Sequence, residues 1–172
     1  EFRRVLFRIF LALAFAGFMI FSPTGEMTAL DMVFYGLDKL GFLAFPPLLL
    51  HFFMIFPLRK RFLKDHPNVR LALYAPAALL LFARVRMHIP FPRPLSESAL
   101  LRYQDGLERL ELLHFALFAL ITLAILMHST RRAPNILVKK QLRIIVSGLG
   151  FGVLPSTVFY MIPFIAGSRP ST

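Results

Sequence analysis

Two histidines offer the most recognisable chemistry in this chain, because each lies within a long apolar stretch. His51 directly follows three leucines, and His114 follows two more. A buried imidazole can ligate haem or another metal ion, relay a proton, or form a hydrogen bond to a neighbouring helix. Counted as helix, His51 lies about four turns and His114 about two turns from the start of its apolar segment, so a shared ligand is not expected. We treat both as candidate cofactor-binding residues, with an interhelical hydrogen bond as the first expectation for His51.

A glycine cluster near the end of the chain raises a second possibility, nucleotide binding. Gly148, Gly150 and Gly152 alternate with apolar residues, but the spacing departs from G-x-G-x-x-G and no strand is predicted before it. Gly148, Gly152 and Ser156 instead recur every four residues, which gives a helix a smooth face for close packing. The pattern therefore predicts a helix-packing surface.

The residues that other kinds of catalysis or ion-coupled transport would need are not found in this sequence. Cysteine is absent, which excludes thiolate metal sites, disulfides and a cysteine nucleophile. Asp38, Glu108 and Glu111 lie near the ends of apolar segments, so no carboxylate pair is expected at the mid-depth that an ion-coupled carrier needs. We predict that this chain is not an enzyme, with no catalytic residue, no metal and no resident cofactor. The twenty phenylalanines leave contact with pigment, haem or quinone open, although lipid is their default neighbour.

The segments that carry these residues are five apolar stretches separated by arginine and lysine. The chain is 57% hydrophobic with a mean hydropathy of +0.66, and a water-soluble core of this size cannot cover so much apolar surface. The predicted spans are residues 5–21, 35–56, 71–87, 107–127 and 144–166. Each is near the roughly 20 residues that cross a hydrocarbon core as helix. We predict an all-α, polytopic integral membrane protein that forms one transmembrane domain over residues 1–172.

The third span is the shortest. Residues 71–82 are its uninterrupted apolar part and cover only about 18 Å of a core of about 30 Å, so Arg70 and Arg84 must snorkel. A four-span chain would place the basic cluster of residues 131–143 outside, against the positive-inside rule. We therefore prefer five spans.

The basic residues orient the chain. With a cytoplasmic amino terminus, thirteen of the twenty lysines and arginines lie inside, and the seven outside are balanced by seven acidic residues. We expect anionic lipid headgroups as partners of the inner clusters Arg59, Lys60, Arg61, Arg131, Arg132, Lys139, Lys140 and Arg143. The loops are too short for an ordered nucleic-acid surface, so the net charge of +11 does not indicate nucleic acid. The expected location is a bacterial inner membrane.

Prolines and local pairs shape individual helices. Pro46 and Pro47 fall in mid-span, where they should bend the helix and free carbonyls for neighbouring helices to satisfy. Pro155 and Pro163 should bend the last span in the same way. The long fourth helix should begin outside lipid, with Ser96 able to cap it and with Arg102, Asp105 and Arg109 spaced for pairing.

Two stretches together resemble a known family. They are Leu-Leu-Leu-His-Phe-Phe-Met-Ile-Phe-Pro at 48–57, followed by basic residues, and Lys-Gln-Leu-Arg at 140–143, leading into the glycine segment 148–155. Over about residues 40–165 the chain resembles the amino-terminal membrane region of bacterial sensor histidine kinases and serine phosphatases. The resemblance implies an input or anchoring module ahead of a cytoplasmic catalytic domain. An isoleucine, Ile144 or Ile145, replaces the aromatic residue expected after the glutamine motif, and no kinase or phosphatase activity is carried over.

Two functional hypotheses follow from these features. The first is a non-catalytic membrane module that acts by helix packing, anchoring or sensory input to a partner or to a cytoplasmic domain outside this sequence. The alternative is an accessory subunit of a larger photosynthetic or respiratory membrane complex. We expect the sequence to be a fragment of, or trimmed from, a longer chain, because it starts at Glu1 without methionine and stops soon after the fifth span.

Overall fold

The computed structural model describes residues 28–55, 68–87 and 96–167. The predicted span 5–21 and the predicted headgroup residues Arg59, Lys60 and Arg61 lie outside these ranges. The described helices are α1 (Ala29–Ile55), α2 (Asn68–Met87), α3 (Glu97–Arg131), α4 (Ile136–Ser156), a π-helical turn (Thr157–Met161) and α5 (Ile162–Ile165). No strand occurs in these ranges, and the prediction of an all-helical fold is confirmed for them.

Within the ranges that the structure describes, three helical stretches are long and apolar enough to cross a membrane. They are Leu30–Ile55, Glu97–Arg131 and Ile136–Ile165, the last of which runs through α4, the π turn and α5. These lengths and compositions confirm the prediction of a membrane protein with transmembrane helices. Helix α2, with 20 residues, is not among these three stretches.

Capping residues set where α1 and α4 begin. The Asp31 carboxylate accepts hydrogen bonds from the Thr28 backbone N–H (2.9 Å) and hydroxyl (2.7 Å), so α1 begins at Ala29. The Asn135 side chain accepts a hydrogen bond from the Val138 N–H at 2.8 Å, and α4 therefore begins at Ile136.

Ser96 behaves differently from its prediction. It occupies the position before α3, but its side chain makes no capping hydrogen bond. Instead its hydroxyl lies 3.3 Å from that of Ser98, and its backbone carbonyl accepts from the N–H groups of Ala99 and Leu100. The start of α3 is thus held by backbone bonds, and the expected side-chain cap is wrong.

Helix α3 is the centre of the bundle, because it contacts α1, α2, α4 and the two segments that follow α4. Near the α3–α4 hairpin, Leu49, Phe53, Leu126 and Leu142 form a buried apolar cluster that joins α1, α3 and α4. In α4 itself only Leu142 and Val153 are buried. This helix therefore packs along a narrow edge and leaves most of its apolar surface uncovered by the described residues.

The last helical stretch widens where it approaches its second proline. In the π turn the Ile162 N–H donates to the Thr157 carbonyl five residues earlier. Pro163 has no N–H and its ring crowds the carbonyl four residues before it, so a wider turn at this position relieves the clash. Thr157 and Met161 are the buried residues of the turn and contact each other through the hydroxyl and the sulfur, 3.9 Å apart.

Candidate functional site

Three charged side chains converge from the first half of α1, the end of α2 and the first half of α3. The Arg84 Nε of α2 donates to Glu111 Oε1 of α3 at 2.8 Å, and the Lys39 Nζ of α1 lies 3.7 Å from Glu111 Oε2. Arg84 is 4% and Glu111 2% exposed. We call Lys39, Arg84 and Glu111 the ion cluster.

The position of Glu111 in α3 explains why its carboxylate is buried. Leu107 lies four residues before it and His114 three residues after it, and all three belong to the core-facing stripe of this helix. An ionised carboxylate on that stripe is tolerated only when cations and hydrogen bonds replace its hydration. Arg84 and Lys39 supply them from the two helices that α3 packs against.

The ion cluster carries one negative and two positive groups, so one positive charge remains. The Lys39 ammonium lies 5.7 Å from the centre of the Tyr35 ring and 5.8 Å from that of Phe42, where the faces of both rings attract a cation. Its side chain is 23% exposed and reaches the surface. Arg84 Nη2 is buried without a hydrogen-bond partner in the described ranges. The cluster thus locks three helices together and keeps one donor for a further acceptor.

His114 contacts α1 at the turn before its two prolines. Its Nε2 lies 3.2 Å from the Leu43 carbonyl oxygen, so Nε2 carries the hydrogen and donates. Pro47, four residues after Leu43, has no N–H to fill this acceptor. The expectation that a neighbouring helix satisfies a carbonyl freed by the prolines is confirmed here. The His114 ring also packs against Phe118, with 4.5 Å between the ring centres.

His51 joins α1 to α2 at a different level. Its Nδ1 lies 2.8 Å from the Tyr74 hydroxyl, and the two rings meet edge to face. The interhelical hydrogen bond expected of His51 is therefore present. Leu43, the partner of His114, lies eight residues or about 12 Å before His51 along α1. The two histidines thus have separate partners at separate depths, and their cofactor-binding role stays a prediction.

The predicted helix-packing residues fall into two groups. Pro46 and Pro47 are almost fully buried within the bundle. Gly148 and Gly152 are exposed, and a Cβ added to either would meet no atom of another described element within 4 Å. The Ser156 hydroxyl bonds back to the carbonyl of Gly152 in its own helix. The glycine face is therefore open toward the other described helices, and its packing partner stays a prediction.

The predicted headgroup residues that the structure describes all lie at the α3–α4 hairpin. Each of the five has an exposed side chain: Arg131, Arg132, Lys139, Lys140 and Arg143. At the other end of α3, Arg109 pairs with Asp105 at 3.2 Å, as their spacing predicted. This second pair is about 40% exposed on both sides, in contrast to the ion cluster.

The sequence did not predict the ion cluster, although two of its features were consistent with one. Charge placement assigned Lys39, Arg84 and Glu111 to the same side of the membrane, and the helical stripe of α3 includes Glu111. Which basic residue meets which acid depends on the packing of three helices. Periodicity within one helix does not contain that information.

Comparison of the chain with family profiles, with curated proteins and with solved structures finds no match. The resemblance to sensor kinases and serine phosphatases stays a hypothesis. The geometry of the bundle is accordingly the basis for the function proposed below.

Proposed function

We propose that this chain is a non-catalytic membrane module that anchors, or gives sensory input to, a cytoplasmic partner or domain. The observation that carries the proposal is the ion cluster buried between α1, α2 and α3. Charged side chains in membrane helices are costly, and those that persist commonly mark a functional position. Here they connect α1, α2 and α3 within the half of the bundle that we place toward the outer side.

Helix α3 provides the route from this cluster to the opposite end of the bundle. It runs without a break from Glu111 to Arg131, a distance of about 30 Å. It also contacts every other described helix. A change that weakens the ion cluster would therefore shift α3 against α1 and α2, and a rigid helix would carry the shift to the α3–α4 hairpin.

For the topology we propose five spans with a cytoplasmic amino terminus in a bacterial inner membrane. The support comes from α2, which lies antiparallel along α1: Tyr74 meets His51, and Arg84 reaches the level of Lys39 through Glu111. Helix α2 therefore covers much of the same depth as α1. The Arg84 of α2 has its charge against a carboxylate inside the protein and not against lipid.

The alternative proposal is an accessory subunit of a photosynthetic or respiratory membrane complex. It is favoured by the open glycine face of α4 and by neighbouring aromatic side chains, since Phe151 is 82% and Phe159 81% exposed. Such a surface suits another transmembrane helix as well as lipid.

Distance measurements between two inner positions test the input role. The chain lacks cysteine, so Asn68→Cys and Asn135→Cys can carry spin labels at the start of α2 and in the α3–α4 hairpin. We expect Glu111→Gln to shift or broaden the distance distribution between these labels in liposomes. Asp105→Asn, which removes an exposed carboxylate of the same helix, should leave it unchanged. If Glu111→Gln leaves the inner distance unaltered, the cluster transmits nothing and the input role is wrong.

A further inference from the structure

A cleft of about 500 Å³ lies between the ends of α3 and α4 at their shared hairpin. Three basic residues line it, Arg131 from α3 and Lys139 and Arg143 from α4. Arg132 and Lys140 are adjacent in sequence and equally exposed, but they do not line the cleft. The five basic residues of the hairpin therefore form two sets. The facing set, Arg131, Lys139 and Arg143, lines the cleft, and the outward set, Arg132 and Lys140, lies outside it.

None of the described carboxylates balances the facing set. Glu111 is the last acidic residue in the sequence, so the inner half of α3 and all of α4 carry none. Among the described residues, no ion pair includes Arg131, Lys139 or Arg143. Three like charges around one cleft repel each other, and an anion in the cleft would relieve this repulsion. The charge pattern therefore indicates an anionic ligand.

Hydroxyl groups complete the polar part of the cleft. Ser147 adds a hydroxyl that can donate to a phosphoryl oxygen. Thr130 also lines the cleft, but its hydroxyl already donates to the Leu126 carbonyl at 2.8 Å. Arginine presents a planar fork of donors that matches phosphate geometry, and lysine supplies a point charge.

One turn deeper, each helix also adds an apolar side chain to the cleft, and on α4 this side chain lies beside Ser147. Met127 lies one turn from Arg131 along α3, and Val146 lies about one turn from Arg143 along α4. A soluble anion needs only the polar part. A lipid places its phosphoryl group among cations and its acyl chains against apolar residues directly beneath. The order of basic and apolar residues along the cleft matches this arrangement.

We propose that the cleft is a specific site for an anionic phospholipid headgroup. Three cations exceed the single charge of a one-phosphate headgroup, so the site favours a lipid with two phosphoryl groups. The proposal goes beyond diffuse attraction of the bilayer to basic loops, and it rests on the proposed function only in placing the hairpin at a lipid surface. It holds equally for an input module and for an accessory subunit.

Two double variants with identical charge loss provide the test. Lys139→Gln/Arg143→Gln removes one lysine and one arginine from the cleft, and Arg132→Gln/Lys140→Gln removes the same pair from outside it. The probes are cardiolipin, phosphatidylglycerol and phosphatidylethanolamine, titrated into purified protein and counted by native mass spectrometry. We expect one tightly held cardiolipin on the unaltered chain. The cleft variant should weaken it by at least about tenfold, and the outside variant by less than about twofold.

A conservative variant and a soluble probe complete the design. Lys139→Arg/Arg143→Lys keeps both charges and should retain binding, which separates loss of the site from loss of the fold. Equal weakening by the two glutamine variants would show diffuse attraction and overturn the site. Inorganic pyrophosphate that binds without lipid and with the same dependence on the variants would overturn the lipid assignment. Failure of the inner-distance experiment with Glu111→Gln would leave the lipid result unaffected.

Discussion

At the scale of single residues, polar contacts set the register between helices in this bundle. Arg84 with Glu111, His114 with the Leu43 carbonyl and His51 with Tyr74 each join two helices at 2.8 to 3.2 Å. Apolar side chains can pack in several alternative alignments with little loss of stability. A buried hydrogen-bond donor or acceptor without its partner, in contrast, lowers the stability of the fold. These contacts therefore select one alignment of α1, α2 and α3.

Glu111→Gln should be strongly destabilising, because it leaves the buried Arg84 guanidinium without a compensating charge. Removal of one partner from a buried ion pair costs about 3 kcal/mol or more. Asp105→Asn breaks an exposed pair on the same helix and should cost less than about 0.5 kcal/mol. Reversible unfolding by SDS titration in mixed micelles measures both. Similar losses for the two variants would mean that burial of the ion cluster contributes no energetic difference.

The contributions of His114 and Pro47 to stability should be coupled. Pro47 lacks the backbone N–H that would donate to the Leu43 carbonyl, and the His114 ring supplies a donor in its place. His114→Phe keeps the ring contact with Phe118 but leaves the Leu43 carbonyl without a donor, at a cost of about 1 kcal/mol. In a Pro47→Ala background, residue 47 regains an N–H that reaches this carbonyl. The same His114→Phe change should then cost markedly less.

The measurement is a double-mutant cycle of unfolding free energies under the same micelle conditions. An equal cost of His114→Phe in both backgrounds would show that the Leu43 carbonyl does not depend on His114. His51→Phe, which removes the contact with Tyr74 elsewhere on α1, serves as the control and should not couple to Pro47.

At the scale of elements, α2 shows how the charge of an arginine in a largely apolar helix can be compensated inside the protein. Arg84 lies in the last turn of α2 and is buried in contact with Glu111. A transfer scale counts that residue as though its charge faced lipid. The cost that the scale assigns is instead offset inside the protein. Helices of this kind are identified by the partners of their charges as much as by their composition.

Single cysteines test whether α2 crosses the membrane. Asn68→Cys and Asn135→Cys should resist a membrane-impermeant thiol reagent in intact cells, whereas Ser98→Cys and Gly167→Cys should react. The expectation follows from five spans with an inner amino terminus. Reaction of Asn68→Cys and Ser98→Cys on the same side would show that α2 does not cross. Labelling after the cells are opened controls for buried or unreactive positions.

At the scale of the whole molecule, the bundle is built around α3 and is uneven in its coverage. Helices α1 and α2 bury polar groups against α3, while α4 contributes few buried residues and leaves Gly148 and Gly152 exposed. In a membrane this surface contacts lipid or another helix. The molecule therefore has one internally satisfied side and one side suited to association.

Gly148→Leu/Gly152→Leu should leave the isolated chain stable, because no other described element approaches these positions. Helix propensity itself favours leucine over glycine. If the chain is an accessory subunit, the bulky side chains should abolish co-purification with its complex by blocking close helix contact. The measurement is recovery of partner subunits in mild detergent, with Ile144→Leu, at an exposed position of the same helix, as the control. Unchanged recovery would rule out this face as the interface.

Much of the fold could be predicted from individual residues, and the rest could not for identifiable reasons. The apolar lengths located α1, α3 and α4, and Pro47 correctly indicated a carbonyl that a neighbouring helix satisfies. The predicted span 144–166 was placed by apolarity, whereas the helix that contains it begins earlier, at Ile136, because the Asn135 cap extends α4 through basic residues. The ion cluster went unpredicted because several acids and bases lay at similar depth, and nothing local distinguished the true pairs.

The sequence by itself determined that this protein is helical, is embedded in a membrane and concentrates positive charge at particular hairpins. These properties depend on composition and on neighbours within a few turns, because hydrocarbon thickness and local capping act over short stretches of chain. Only the tertiary structure decided that Glu111 meets Arg84 and Lys39, that His114 meets the Leu43 carbonyl, and that the hairpin's basic residues divide around a cleft. These partners lie as far as 71 residues apart, and helix packing alone brings them within hydrogen-bond distance.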